Sequence, residues 1–233
     1  MTSSAAAEPF DRDGWWDPDC RAFASLRAVT GLRLELLRRW LPGPWSGRVV
    51  ADLGCGGGLL AVPLAEAGAR VVGVDTARRA LRAAGDRGGG GFLPLAGDLL
   101  QSPVDSGAVD VVLLADVLEH VPEPAAAVRE AARLLRPGGH LFVNTIDRSR
   151  LARLLAITLG EGLGFVPRGT HDARWFVRPQ ELDAMAAAGG LRLCTRRGEA
   201  PRLWRTLRSG VLALRESARI TAGYAALYER MAT

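Results

Sequence analysis

Length, composition and charge narrow the classes of protein to which this chain can belong. The 233 residues, 48% of them hydrophobic, suit one α/β domain with an appended lid or cap, because domains typically have roughly 100–200 residues. Thirty basic against twenty-five acidic residues give a net charge of +5, but no run of basic residues is typical of a nucleic-acid-binding arm. We therefore expect no nucleic-acid partner, and interpret the basic excess as solvated helix faces with a bias toward anionic membrane surfaces.

The cysteines and the N-terminal segment predict a protein of a reducing compartment. The three cysteines are far apart and form no CxxC pair that would indicate zinc or a redox site. The first residues have neither a basic start nor an apolar core, and no uncharged stretch reaches the ~18 residues that span a bilayer. We expect a cytoplasmic location, with peripheral membrane contact as an option.

The alternation of strand and helix begins after an N-terminal cap, predicted for residues 1–45. An apolar, β-branched run at 48–53 predicts a strand that stops at a glycine-rich turn, 54–58. Helical spacing follows, and then a second strand at 70–75 ends in an acid. Two strands joined by a helix form a βαβ unit, which favours a parallel sheet with its ligand at the carboxyl ends of the strands.

The same alternation continues to residue 147. The next predicted elements are a helix at 76–85, strands at 92–98 and 109–116, a helix at 124–139 closed by Pro-Gly-Gly, and a strand at 140–146. We therefore predict a Rossmann-like α/β core in residues 46–147, belonging to a mostly parallel seven-stranded sheet with helices on both faces.

A lid insertion is predicted for residues 148–172, where the strand pattern stops. Its front is basic and its remainder apolar; as a helix, it would have the composition of an interfacial helix on anionic lipid. Membrane contact through residues 148–166 is one interpretation, and a lid packed on its own domain is the other.

The remaining residues, 173–233, are predicted to complete the sheet and to form the acceptor region. A helix is expected at 178–190 and a strand at 191–199. From about Gly210 we expect a further helix and then a final edge strand at 222–231.

The glycine-rich turn predicts a ligand that lies close to the backbone. Glycine lets the chain approach a ligand, and the following helix offers free N–H groups and the positive end of its dipole. A dinucleotide-binding GxGxxG motif would need a third glycine where Leu59 stands, and the GK[ST] of a Walker A motif is absent. The stretch DLGCGGG instead resembles the first motif of class I S-adenosylmethionine-dependent methyltransferases. A glycine turn that serves only tight packing is the alternative.

Acids near the ends of successive strands support this interpretation. Asp52 precedes the glycine turn, Asp75 ends the second strand, and Asp98 ends the third. We expect Asp75 to accept hydrogen bonds from two ribose hydroxyls and Asp98 to meet the adenine amino group.

Most of the chain is similar to the ubiquinone-biosynthesis O-methyltransferases. The resemblance is carried by FDRDGWWDPDCRAFASL and the GLRLELL after it, DLGCGGGLL, ADVLEHVPEP, and VPRGTHDARWFVRPQEL. It implies a class I methyltransferase fold and S-adenosylmethionine as cosubstrate. It further implies methyl transfer to a phenolic oxygen of a catechol-like aromatic acceptor, a small molecule with a lipid tail.

The resemblance also implies residues that bind the cosubstrate. Arg33 matches the family's arginine beside the methionine carboxylate, and Ala115 matches a backbone position beside adenine or methionine. The predicted cosubstrate set is Arg33, Asp52, Gly54, Gly56, Asp75, Thr76, Asp98, Leu99 and Ala115.

Asp116, Glu119 and His120 form the candidate catalytic cluster. In the family, an E-x-x-E-H motif holds a divalent cation, usually Mg²⁺, and this chain has Asp at the first of its positions. Carboxylates and one imidazole suit a hard cation, which would lower the pKa of the attacking hydroxyl. We predict that all three bind the metal and that Asp116 and His120 are catalytic. The alternatives are a structural Glu-His turn and a metal-free general base at His120.

Several further interpretations stay open at this point. Trp15 and Trp16 are either core anchors or an aromatic wall over the substrate, and His171 either caps a turn with Thr170 and Asp172 or faces the acceptor. The acceptor is alternatively a specialised-metabolite phenol. A non-catalytic protein that binds cosubstrate or lipid, and a dinucleotide oxidoreductase, are the alternatives from other functional classes.

Overall fold

The computed structural model describes residues 10–162 and 172–232, which form an α/β fold around one mixed sheet. The sheet has eight strands in the order β3-β2-β1-β4-β5-β8-β6-β7. They are β1 Val49–Leu53, β2 Arg70–Asp75, β3 Phe92–Ala96, β4 Val109–Ala115, β5 Leu135–Ile146, β6 Leu191–Pro201, β7 Leu214–Ser217 and β8 Gly223–Arg230. The predicted fold class is confirmed, although the sheet has one strand more than the seven predicted.

The first five strands are parallel, as the βαβ pattern predicted. β1 pairs with β2 and β4, and β2 and β4 pair in turn with β3 and β5. Parallel strands finish at the same end of a sheet, so the residues that follow them lie close together. We call this end, where β1 to β5 finish, the carboxyl end of the sheet.

Seven helices accompany the sheet. They are α1 Ala24–Trp40, α2 Ala61–Glu66, α3 Arg78–Gly88, α4 Pro124–Leu134, α5 Arg150–Arg153, α6 Pro179–Ala188 and α7 Leu203–Ser209, and the described residues also include four short 3-10 helices and a π-helix at Leu154–Glu161. Helix α4 ends earlier than predicted. The Arg-Pro-Gly-Gly segment after it belongs to β5.

Alternating side chains of the strands build a core on each face of the sheet. On one face, Leu53, Leu114 and Val143 belong to the same buried cluster as residues of α4 and α6. On the other face, Leu113 and Phe142 are clustered with residues of α1, α2 and α3. Because neighbouring strand residues point to opposite faces, a sheet covered on both sides needs the near-continuous apolar runs seen in β1 and β4.

The C-terminal part of the sheet differs from the prediction. Strand β8 was predicted at the edge, but it pairs antiparallel with β5 on one side and β6 on the other. All six residues from Gly223 to Tyr228 are buried, as an interior strand requires. The edge strand is β7, and the helix expected after Gly210 lies before it, as α7.

The lid insertion begins with a short helix at the carboxyl end of the sheet. The Ser149 hydroxyl caps α5 by accepting a hydrogen bond from the Ala152 N–H at 3.1 Å. A π-helix continues to Glu161, a form that is rare beyond single turns. Residues 163–171 of the predicted lid, including Thr170 and His171, lie outside the described residues.

No helix within residues 10–162 and 172–232 is long and apolar enough to cross a membrane.

The burial pattern predicts that two truncations of apolar side chains differ strongly in their effect on stability. Phe142→Ala is expected to lower the free energy of unfolding by about 3–5 kcal/mol, because this ring is completely buried between β5 and α1. Leu93→Ala on edge strand β3, where the side chain is 57% exposed, is the control and should change it by less than about 0.5 kcal/mol. Urea unfolding measures both values. Similar losses in the two variants would contradict the burial pattern.

Candidate active site

The glycine-rich turn is held in place by backbone hydrogen bonds to β2. The Gly54 N–H donates to the Val74 carbonyl at 2.7 Å, and the Gly56 N–H donates to the Asp75 carboxylate at 2.7 Å. Gly54 and Gly56 have φ values of 75° and 50°, a region that glycine enters without steric cost. The turn is therefore set by Asp75, which also accepts a hydrogen bond from the Ala77 N–H at 2.8 Å.

Two tryptophans from the N-terminal cap pack on this turn. Trp15 is 5% exposed and stacks on Phe23 with a ring-centroid distance of 4.1 Å. A Cβ atom on Gly57 would lie 2.3 Å from the Trp15 ring, so the approach needs glycine. The indole N–H of Trp16 donates to the Gly57 carbonyl at 2.8 Å. The core-anchor interpretation is confirmed for Trp15, and Trp16 is tied to the same turn.

The remaining predicted adenosine contacts line the ends of β2 and β3. Thr76 is exposed directly after β2, and Asp98 accepts a hydrogen bond from the Leu100 N–H at 2.9 Å. Leu99 lies beside the glycine turn, where its side chain would be 3.6 Å from a Cβ atom on Gly54. The fold thus places the predicted ribose and adenine contacts at the ends of β2 and β3, next to the glycine turn.

Arg33 and Asp116 form an ion pair under α1. Both terminal nitrogens of the guanidinium donate to the two carboxylate oxygens, one of them at 2.9 Å. Arg33 is 7% exposed, and Asp116 has a φ of 54°, the only positive φ of a non-glycine residue in the described segments. Such a backbone conformation costs energy that the surrounding contacts must offset. The pair joins the cap to the end of β4, beside Ala115.

Glu199 on β6 is a site residue that the sequence analysis missed. Its Oε1 lies 3.8 Å from Nε of Arg33, and the residue is 2% exposed. Burial raises the pKa of this carboxyl, and the amide of Asn144 on β5 contacts it. In sequence, Glu199 is one acid near the end of an Arg-rich strand, so only the pairing of β6 with β8 reveals its place.

Three buried polar atoms at this point have no hydrogen-bond partner among the described residues. They are Nε of Arg33, Oε1 of Glu199 and Oδ1 of Asn144. Buried polar groups are normally hydrogen-bonded, and leaving one unpaired costs roughly 1–3 kcal/mol. Nε of Arg33 and Oε1 of Glu199 face each other at 3.8 Å, too far for a hydrogen bond, so a polar ligand that reaches both atoms would supply the missing partners.

Glu119, three residues after Asp116, is buried. Its carboxylate accepts a hydrogen bond from the Thr145 hydroxyl at 2.6 Å, and it is 1% exposed. Burial and the negative charge of Asp116 raise the pKa of Glu119 to about 8. The side chain therefore holds a proton over much of the neutral range.

The geometry does not fit the predicted metal site. Both oxygens of Asp116 are held by Arg33, Glu119 is bound to Thr145, and the His120 ring makes an edge contact with Phe10 at 5.4 Å between centroids. Within residues 10–162 and 172–232, no three His, Cys, Asp or Glu side chains are close enough to hold a metal ion. The divalent cation stays a prediction.

Comparisons with known proteins agree with this fold. The Methyltransferase domain family matches residues 51–143. The magnesium protoporphyrin IX methyltransferase of Synechocystis, solved with bound SAH, shares the fold with a TM-score of 0.65 and 19% identity, covering 99% of this chain and 95% of that chain. A SAM-dependent methyltransferase of Thermotoga maritima has a TM-score of 0.66 and 22% identity, covering 96% of this chain and 99% of that chain. Fold and glycine turn together define a class I S-adenosylmethionine-dependent methyltransferase.

Sequence relatives give the family within this class. The Ubiquinone biosynthesis O-methyltransferase of Ralstonia nicotianae is 42% identical over 190 residues, 79% of this chain and 78% of the relative. The protein of that name from Methylococcus capsulatus is 41% identical, with 79% and 78% covered. The chain belongs to the ubiquinone-biosynthesis O-methyltransferase family, and it is an S-adenosylmethionine-dependent O-methyltransferase.

A pH dependence of stability follows from Asp52. This side chain is 3% exposed, and burial together with the charge of Asp75 raises its pKa to about 7. Between about pH 4 and pH 7 the unfolded chain releases this proton while the folded protein retains it, so stability falls as pH rises. Asp52→Asn should flatten the fall in unfolding free energy, measured with urea at pH 5 and pH 8.

The exposed Asp19 supplies the control for this experiment. Asp19→Asn removes the same charge from a side chain at the surface and should leave the parent profile intact. A profile for Asp52→Asn that matches the parent would show that Asp52 is already ionised in the folded protein.

The predicted cosubstrate role of Arg33 implies a specific loss of binding when this residue is changed. Arg33→Lys keeps a charge beside Asp116 and Glu199 but removes the planar guanidinium. The dissociation constant for S-adenosylmethionine should rise about 10–100-fold, the equivalent of one charge-assisted hydrogen bond. Calorimetric titration measures it, and Arg39→Lys on the exposed side of the same helix is the matched control. Equal affinity for S-adenosylmethionine in both variants would contradict a role of Arg33 in binding it.

Proposed function

We propose that this enzyme methylates a phenolic hydroxyl of a catechol-like ubiquinone precursor. The observation that carries the proposal is the identity of about 40% over four fifths of the chain to enzymes named for ubiquinone biosynthesis. The buried, unpartnered polar atoms of Arg33, Glu199 and Asn144 support a polar ligand at the carboxyl end of the sheet.

The reaction needs little more from the protein than a deprotonated and aligned acceptor. The methyl donor is a sulfonium, so attack by a phenolate forms the carbon–oxygen bond while the carbon–sulfur bond breaks, and the two charges neutralise each other. An in-line approach can be enforced by binding both reactants in fixed orientation. The proton of the hydroxyl must go to a base or to water.

We propose His120 as the base that takes this proton. It follows Asp116 and Glu119 at the end of β4 and is partly exposed, whereas Glu119 is buried. Among side chains, imidazole is the one suited to take up and release a proton near neutral pH. The contact of Asp116 with Arg33 supports this route over one that uses a cation held by the three predicted ligands.

The lid is proposed to admit a tailed acceptor from a membrane surface. Of the proposed contact at 148–166, the structure describes 148–162, where Leu151 and Leu154 are 48% and 47% exposed. Arg150 and Arg153 stand beside them on the short helix α5. Apolar side chains next to arginines suit the boundary between lipid head groups and acyl chains.

Methyl transfer to a panel of acceptors tests the proposal. A tailed catechol, a soluble catechol and a single phenol are each assayed with Mg²⁺ and with EDTA. We expect turnover on both catechols, a preference for the tailed one, and rates within twofold in EDTA. Loss of turnover in EDTA that Mg²⁺ restores would contradict the metal-free route, and turnover on the single phenol alone would favour a specialised-metabolite acceptor.

Substitution of His120 separates a base from a structural role. His120→Ala should lower kcat on the soluble catechol by about 10²–10⁴-fold at neutral pH, and the deficit should shrink above about pH 9, where more of the phenol ionises by itself. His140→Ala on β5 is the control, since this histidine lies six residues before the end of that strand. A loss at His120 that is independent of pH would indicate a brace rather than a base.

A further inference from the structure

Helix α7 exposes an unusual concentration of large apolar side chains. Trp204 is 86% exposed, and Leu203 and Leu207 are each 57% exposed. At helical spacing these three side chains cover one arc of about 100°. A contiguous apolar group of this kind on a soluble surface marks a site of interaction.

The fold prevents these side chains from turning inward. Thr206, on the inner side of the helix, is 5% exposed, and its hydroxyl accepts a hydrogen bond from the Ala213 N–H at 3.0 Å. The Leu212 N–H donates to the Ser25 hydroxyl at 3.2 Å, which ties the following loop to the start of α1. The helix is thus fixed to the domain with its apolar arc facing outward.

Arginines flank the apolar arc. Arg202, Arg205 and Arg208 lie on the two sides of it, and Arg215 on β7 lines the same shallow groove. The sequence has no acidic residue between Glu199 and Glu216. We call Arg202, Leu203, Trp204, Arg205, Leu207 and Arg208 the α7 surface. Its three apolar side chains lie at the centre and its three arginines at the rim.

The α7 surface lies at the same end of the sheet as the candidate active site. Strand β6 is antiparallel to β8, which is antiparallel to β5, so β6 finishes at the carboxyl end of the sheet. Glu199, four residues before Leu203, reaches Arg33 there. Helix α5 and the π-helix that follows it, with exposed Leu151 and Leu154, start from the same end after β5.

We propose that the α7 surface docks on an anionic phospholipid bilayer. Guanidinium groups bind phosphate through paired hydrogen bonds, and tryptophan prefers the boundary between head groups and acyl chains. Leu203, Trp204 and Leu207 enter that boundary while the arginines bind the lipid phosphates. This placement turns the carboxyl end of the sheet toward the lipid in which a tailed acceptor is dissolved. Only that last consequence rests on the proposed function.

The charge of the α7 surface argues against a second copy of the chain as its occupant. A two-fold contact would place the same surface on both partners, so the arginines of one copy would face those of the other. Arginines that face each other across such a contact would repel, and the described residues of the α7 surface include no acid to compensate their charge. Anionic lipid supplies the missing negative charge at high density.

Vesicle co-sedimentation of the full chain tests the proposal. The parent protein should bind vesicles of equal parts phosphatidylglycerol and phosphatidylcholine, and bind vesicles of phosphatidylcholine alone at least about tenfold more weakly. Arg205→Gln with Arg208→Gln should lower the partition coefficient about 25-fold, since each basic residue near an anionic surface contributes roughly fivefold. Trp204→Ala with Leu207→Ala should lower it about tenfold or more.

Matched variants keep these results interpretable. Leu93→Ala removes a leucine of the same 57% exposure from the opposite edge of the sheet and should bind vesicles like the parent. Thermal unfolding and affinity for S-adenosylmethionine should stay unchanged in all variants, because no residue of the α7 surface belongs to the site. These readouts need no acceptor, so a failure of the proposed function leaves this test intact.

Three results would overturn the proposal. Equal binding to neutral and anionic vesicles would remove the role of the arginines. Binding that survives both paired substitutions would assign the membrane contact to another surface, such as α5. A parent dimer that dissociates in the Trp204→Ala, Leu207→Ala variant would show that the α7 surface is an interface between copies of the chain.

Discussion

The buried guanidinium of Arg33 is the interaction on which the arrangement of the site depends. It belongs to α1, pairs with Asp116 after β4, and faces Glu199 on β6. A buried charge without partners is costly, so these three distant parts of the chain must be assembled together for any of them to be stable. The N-terminal cap is therefore part of the site rather than an appendage. The tryptophans that pack on the glycine turn attach the cap a second time, on the cosubstrate side.

At Asp116, this chain differs from the family in sequence and from the predicted metal site in geometry. The family resemblance implies glutamate as the first metal ligand, and this chain has the shorter aspartate there. In the structure that carboxylate turns back onto Arg33 through a backbone with positive φ. The two acids and the histidine after β4 therefore have separate surroundings. Asp116 pairs with Arg33 of the cap, Glu119 is buried against Thr145, and His120 is partly exposed.

Nearly all of the chemistry lies at the carboxyl end of the sheet because strands β1 to β6 run in the same direction and the loops after them meet there. The glycine turn, the paired acids, the lid and α7 all follow strands that finish there. Away from this end, the sheet has a hydrophobic core on each face. Helices α4 and α6 cover one face, and α1, α2 and α3 cover the other. Stability and function are therefore separated along the strands rather than between domains.

The sequence by itself determined the elements whose signal is local. Apolar runs ending in Gly54 and Asp75 predicted the parallel core, because period and turn chemistry are properties of neighbouring residues. Tertiary structure decided what depends on contacts between distant residues: the interior place of β8, the edge place of β7, the partner of Asp116 and the role of Glu199. An ion pair or a strand order joins positions more than eighty residues apart, and no spacing within one segment encodes which partner will be nearest.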